Sequence, residues 1–181
     1  MKLYFVSKNP DKIKEVKAIL GSDSIEVLGS DTTINEIQSP DINEIVKDKV
    51  LKAFKQIKRT LIVEHTGLYI QEFGNLPGGL TQVFWDSLGA EGFCRYFGGL
   101  ECTAKTVVAY CNGKGYKLYE GTIEGRITKQ PGGTSTFQWD PVFIPNGYDQ
   151  TFAEMSPEKK NEISMRKKAL TQLKNDLEKL I

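Results

Sequence analysis

The chain has 181 residues, 39% of them hydrophobic and 26% charged, with a formal net charge of +1. That length holds one domain with a sizeable core, and the near-neutral balance excludes a chain that coats nucleic acid through overall basicity. Its three cysteines, Cys94, Cys102 and Cys111, form no CxxC pair and are odd in number, which argues against a disulfide framework or a structural zinc site and for a reducing, cytoplasmic setting.

In chain order, the apolar stretch in MKLYFVSKNP is too short for a signal peptide, and residues 2–6 read as a buried central strand. The turn at 7–11 leads into an amphipathic helix with Ile13, Val16, Ile19 and Leu20 on one face, closed by Gly21. Residues 25–28 read as a second strand, and 42–57 as a long amphipathic helix. Residues 61–63 return to the core as a strand that ends in Glu64 and His65, with Gly67 permitting a turn before the next strand. GNLPGG at 74–79 reads as a loop, and 80–88 and 90–97 as two helices. Residues 103–111 and 116–125 alternate around Asn112-Gly113-Lys114-Gly115, a hairpin signal, and 165–181 reads as a closing amphipathic helix. No apolar run approaches the ~20 residues needed to span a bilayer. Strands and helices in alternation plus one long hairpin predict an α/β fold with a mixed sheet in a single domain over 1–181.

Three places carry chemistry. SKNPDK offers helix-start N–H groups and the Lys12 cation to an anion, or else is an ordinary turn capped by Asn9 or Asp11. Glu64 is an oxygen donor suited to a hard cation or to orienting water, and His65 beside it is either structural or functional. FQWDPVF and the basic residues after it combine Phe137 and Trp139 for stacking on a base. Asp140 serves for hydrogen bonds to the base, and Lys160 and Arg166 for phosphate oxygens. Glu36 and Lys49 read on their own as a solvated face.

Set in order, these segments resemble the inosine triphosphate pyrophosphatase, or Ham1-like, family. SKNPDK resembles T-x-N-x-x-K, VEHTGL resembles (D/E)-D-(S/T)-G-L, and NLPGG resembles G-x-P-G. FQWDPVF resembles F-G-(Y/W)-D-P-x-F, and AEMSPEKKNEISMR resembles A-E-(L/M)-x-x-x-E-K-x-x-(I/V)-S-H-R. The resemblance implies an elongated mixed sheet flanked by helices, in two lobes with a nucleotide cleft between them, assembled as a homodimer. It implies hydrolysis of deaminated purine nucleoside triphosphates, of the inosine and xanthosine type, to monophosphate and pyrophosphate. Ser7, Asn9, Lys12 and Lys49 would meet the phosphates. Glu36, with Glu64, would bind Mg²⁺, for which Mn²⁺ can substitute. Phe137, Trp139 and Asp140 would hold the base, and Lys160 and Arg166 would complete the pocket. Catalysis would fall to Glu64, His65 and Lys12, and neither nucleic acid nor membrane is an expected partner. Two positions depart from the pattern: His65 replaces a second acid, and Met165 replaces the histidine of S-H-R. Gln138 stands where Gly is usual, adding an amide next to the base site. These departures imply altered base preference or reduced activity; the alternative is a nucleotide-binding sensor or partner protein that no longer hydrolyses.

Overall fold

The computed structural model describes residues 1–134 and 137–179. Strand β1 (Lys2–Val6) places Leu3 and Phe5 on one face of the sheet and Tyr4 and Val6 on the other, the period of two that a strand buried on both faces requires. Helix α1 (Pro10–Leu20) follows at once, because Pro10 is set for the first helical turn and Asn9 caps it, accepting from the N–H groups of Asp11 and Lys12 at 2.9 and 3.2 Å. Strand β2 (Glu26–Ser30) runs parallel to β1. Helix α2 (Ile42–Ile57) buries Ile42, Ile45, Val46, Val50 and Ala53, the stripe its sequence predicts, and Asp41 caps it through the Asn43 N–H.

Strand β3 (Leu61–Ile70) pairs with β1 at only two positions, Tyr4 with Leu61 and Phe5 with Ile62. It then continues antiparallel to β5 (Glu101–Cys111), which forms the expected hairpin with β6 (Tyr116–Ile127). A short β4 (Leu76–Gly78) lies beside β3, and β7 (Phe143–Pro145) closes the path β2-β1-β3-β5-β6-β7. Between β4 and β5, helix α3 (Thr81–Phe97) is broken at Gly89, where φ of 61° leaves the helical region. The two helices read from the sequence are therefore its two halves. Helices α4 (Pro157–Ile163) and α5 (Met165–Glu178) end the described chain; residues 180 and 181 of the expected closing helix lie outside the described residues.

The mixed sheet flanked by helices agrees with the α/β expectation. Separate apolar clusters form its two ends. One end holds Leu3, Phe5, Leu20 and Leu173 on one face and Val46, Val50 and Val63 on the other. The far end holds Leu68, Phe93, Phe97, Trp139, Phe143 and Phe152. At about 3.4 Å per residue, the 12 residues of β6 reach about 40 Å, long enough to run through both.

Three expectations need correction. The strand at 61–63 does not end at Glu64 and His65. Both are interior residues of β3, paired across to Val108 and Val107. Gly67 is not a turn: a Cβ there would lie 2.2 Å from the Gly78 carbonyl oxygen, so glycine is required for the close approach of β4. The segment read as a loop at 74–79 accordingly contains β4.

Candidate active site

Where β3 leaves β1, its edge is exposed to the turn that enters α1, and Glu64 is the second residue beyond the last parallel pair. Its side chain is 3% exposed. Arg166, the second residue of α5 and wholly buried, donates from Nε to Glu64 Oε2 at 2.7 Å and from Nη2 to Oε1 at 3.1 Å. Lys12 Nζ reaches Glu64 Oε1 at 3.0 Å from the first turn of α1. One helical turn after Lys12, Glu15 accepts from Arg166 Nη1 at 2.5 Å and pairs with Lys160 Nζ at 3.2 Å. Lys160 also donates to Asp140 Oδ2 at 2.6 Å. The result is one continuous run of buried and partly buried ion pairs: Lys12, Glu64, Arg166, Glu15, Lys160, Asp140.

This run joins two cavities. Lys12 and Glu64 line one of about 540 Å³, together with Glu36, Lys49 and His65. Glu15, Lys160 and Asp140 line another of about 690 Å³, with Phe137 and Phe152 as its aromatic walls. Both fall within the ~300–1,000 Å³ usual for small-molecule sites. A smaller cavity of about 270 Å³ shares Lys12, Glu36 and Lys49 with the first and adds Ser7 and Asn9.

In the cationic half, Lys49 Nζ lies 2.5 Å from Glu36 Oε1 and donates to the Glu64 carbonyl at 3.2 Å. His65 Nδ1 is 3.3 Å from Glu36 Oε2, and its Nε2 is 2.9 Å from the Gly79 carbonyl oxygen. Both ring nitrogens face acceptor oxygens. Burial raises the pKa of Glu36, but the His65 hydrogen bond and the Lys49 charge outweigh it and pull the carboxyl down to about 2. Burial likewise opposes ionisation of Glu64, and Arg166 and then Lys12 overcome it, holding Glu64 well below the usual carboxylate range. Neither carboxylate is a strong base, and His65 has no unengaged nitrogen with which to act as one.

In the aromatic half, Lys160 Nζ lies 4.1 Å from the Phe137 ring centroid. Burial pushes Asp140 up to about 6 even though Lys160 opposes it, Glu15 adding to the rise and Arg166 countering it. Asp140 therefore changes protonation in the near-neutral range.

The expected residues divide as follows. Lys12, Lys49, Glu36, Glu64 and His65 come together in one cavity, and Phe137, Asp140 and Lys160 in the other. Ser7 accepts from the Asn9 N–H at 3.2 Å, and the Asn9 side-chain oxygen is committed to capping α1. Trp139 is 4% exposed and lines neither cavity; its ring meets Phe143 edge-on at 5.6 Å and is tilted against Phe152 at 6.5 Å. Met165 is likewise buried in the far core. Arg166 commits three N–H donors to Glu64 and Glu15 and lines none of the three cavities. Gln138 lines the cationic cavities, not the aromatic one. Glu15 belongs to no motif in the sequence; its spacing of three from Lys12, which puts both on one helix face, is its signal.

Among the described residues, no group of three or more His, Cys, Asp or Glu is arranged to hold a metal ion. Both oxygens of Glu64 are taken by cations. Glu36 is 30% exposed on the cavity side. Mg²⁺ commonly binds through one or two carboxylates and the oxygens of a substrate phosphate. Glu36 fits that arrangement better than Glu64 does.

Fold and site define a mixed α/β protein with a charged cleft where its parallel strands end. The Ham1 family model matches residues 3–176. An inosine triphosphate pyrophosphatase of Yarrowia lipolytica is 40% identical over 179 residues, covering 96% of this chain and 94% of its own length. A dITP/XTP pyrophosphatase of Pyrococcus horikoshii is 34% identical over 174 residues, covering 94% and 93%. Among solved structures, a Ham1 protein of Coxiella burnetii superposes with a TM-score of 0.80 at 24% identity, over 99% of both chains. The chain belongs to the Ham1 family.

Proposed function

We propose that this protein is a nucleoside triphosphate pyrophosphatase that hydrolyses deaminated purine nucleoside triphosphates, of the inosine and xanthosine type, to the monophosphate and pyrophosphate. The observation that carries this reading is the ion-pair run joining an aromatic cavity to a cationic one. A purine has a flat face for Phe137 and edge groups for Asp140, and a triphosphate has the charge that Lys12 and Lys49 answer. Water attacks the α-phosphorus and releases its proton to solvent or to the departing pyrophosphate, the bond to the bridging oxygen breaks, and pyrophosphate leaves with that oxygen. Because Glu36 and Glu64 are weak bases here, the chain's own contribution lies in orientation and in neutralising charge on the phosphoryl oxygens.

The cofactor proposed is Mg²⁺, replaceable by Mn²⁺, held by Glu36 with Glu64 nearby. When bound it neutralises phosphate charge and acts as a Lewis acid. A homodimer in the cytoplasm is the proposed working form; among the described residues no helix is long and apolar enough to cross a membrane. The relatives carry pyrophosphatase names, which favours hydrolysis over the binding-only alternative.

The test is pyrophosphate release from inosine, xanthosine, adenosine and guanosine triphosphates with Mg²⁺ or Mn²⁺. Faster turnover of the first two is expected, and no turnover of any by folded protein would defeat the proposal. Sedimentation of the same sample tests the dimer.

A further inference from the structure

Gln138 has a left-handed backbone, with φ of 49°, a region that disfavours any residue with a Cβ. This turn separates successive side chains: Phe137 faces the aromatic cavity, Gln138 faces both cationic cavities beside Lys12, Glu36 and Lys49, and Trp139 enters the core. A strained position that carries a long polar side chain into a site is a mark of function.

The orientation of its amide is fixed from α3. The Asp86 carboxylate accepts, so Gln82 presents its amide nitrogen there, Nε2 to Oδ1 at 2.7 Å. That leaves Gln82 Oε1 facing Gln138, whose Nε2 donates to it at 3.3 Å. Gln138 therefore directs its amide nitrogen, not its oxygen, toward the α3 side of the cationic cavity. A primary amide nitrogen carries two hydrogens, and the Gln82 contact uses one. A neutral donor lining a cavity that Lys12 and Lys49 also line suits an anionic oxygen.

We propose that Gln138 is a phosphate-binding residue that donates its second amide hydrogen to the polyphosphate of the substrate, with Gln82 and Asp86 as positioning residues. The inference rests on the nucleotide reading above and assigns Gln138 to the phosphates rather than the base.

The experiment compares wild type, Gln138→Ala, Gln138→Gly and Gln82→Leu. It reads melting temperature, the dissociation constants of inorganic triphosphate and of inosine monophosphate, and kcat and KM for inosine triphosphate. Both Gln138 variants should weaken inorganic triphosphate about tenfold, the lower end for a hydrogen bond to a charged group, while monophosphate binding holds. Gln82→Leu should lose part of the same affinity. Gln138→Gly should melt at or above wild type, since glycine tolerates the turn, so its weaker binding would not reflect misfolding. Unchanged triphosphate binding in the Gln138 variants, or a loss confined to the monophosphate, overturns the assignment. Wild type that neither binds triphosphate nor hydrolyses inosine triphosphate sinks the nucleotide reading itself; wild type that hydrolyses it beside variants that bind triphosphate normally sinks only the role of Gln138.

Discussion

Arg166 and Glu64 stand 102 positions apart in the chain and form a two-point hydrogen-bonded pair, Nε to Oε2 at 2.7 Å and Nη2 to Oε1 at 3.1 Å, with both side chains buried. The pair ties the start of α5 to the interior of β3 and sits between the two cavities. Removing one member of such a pair strands a buried charge, which costs about 3–5 kcal/mol. Arg166→Ala should lower the unfolding free energy by that amount in a urea titration. The double variant Glu64→Gln, Arg166→Met should lose less than the sum of its single changes, because neither member of the pair is then left facing the other's absence, although Lys12 still loses Glu64 and Glu15 still loses Arg166.

Acid stability follows from the depressed carboxylates. Glu36 is drawn from an ordinary 4.5 to about 2, and Glu64 is also lowered, so their contributions are fully present above 4.5 and vanish as pH falls through the folded values. The melting temperature should therefore drop steadily below pH 4.5, and Glu36→Gln should flatten part of that drop. A Glu36→Gln profile as steep as wild type would contradict the ion-pair account of Glu36.

Asp140 has the opposite sign. Its pKa is raised from 3.8 to about 6, so its contribution to stability is fully present below 3.8 and lost as pH rises through about 6. Asp140→Asn should remove that decline. In kinetics, KM for inosine triphosphate should show an inflection near the pKa of Asp140 in wild type, absent from the asparagine variant, since the carboxyl changes from donor to acceptor toward the base.

Trp139 separates support from recognition. As a core residue packed on Phe143 and Phe152, its replacement by Ala should cost about 3–5 kcal/mol in stability. Trp139→Phe keeps an aromatic core and should leave KM near wild type. A large rise in KM with unchanged stability would instead make Trp139 a wall of the base site.

His65 bridges Glu36 and the Gly79 carbonyl oxygen. Its change to Asp would set two carboxylates against each other with Lys49 as the shared cation, a like-charge contact that a divalent ion relieves. His65→Asp should melt below wild type in chelator and recover with Mg²⁺. Calorimetry should show tighter Mg²⁺ binding by the variant, and equal binding would contradict this reading of the position.

Periodicity made parts of the fold legible. Helix α2 matches the apolar stripe from Ile42 to Ile57, and the hairpin follows its Asn-Gly turn. Strand β3 is longer than its apolar run because Glu64 and His65 interrupt that run, and the charged partners they meet in space let both lie inside the strand. The site was legible as a set of motif residues, but not their arrangement. Arg166 and Lys160 read in the sequence as cations for phosphate oxygens, and nothing local shows that Glu64, Glu15 and Asp140 converge on them from distant segments. Trp139 looked like Phe137 in sequence; the left-handed turn at Gln138 lies between them, and Trp139 enters the core.

The step proposed for this protein is attack of water at the α-phosphorus of a deaminated purine nucleoside triphosphate. Turnover of inosine triphosphate in ¹⁸O-labelled water, with mass analysis of the products, tests it directly. Inosine monophosphate should carry the label and pyrophosphate should be unlabelled. Label in pyrophosphate, release of inosine diphosphate with orthophosphate, or no turnover by folded protein would contradict it.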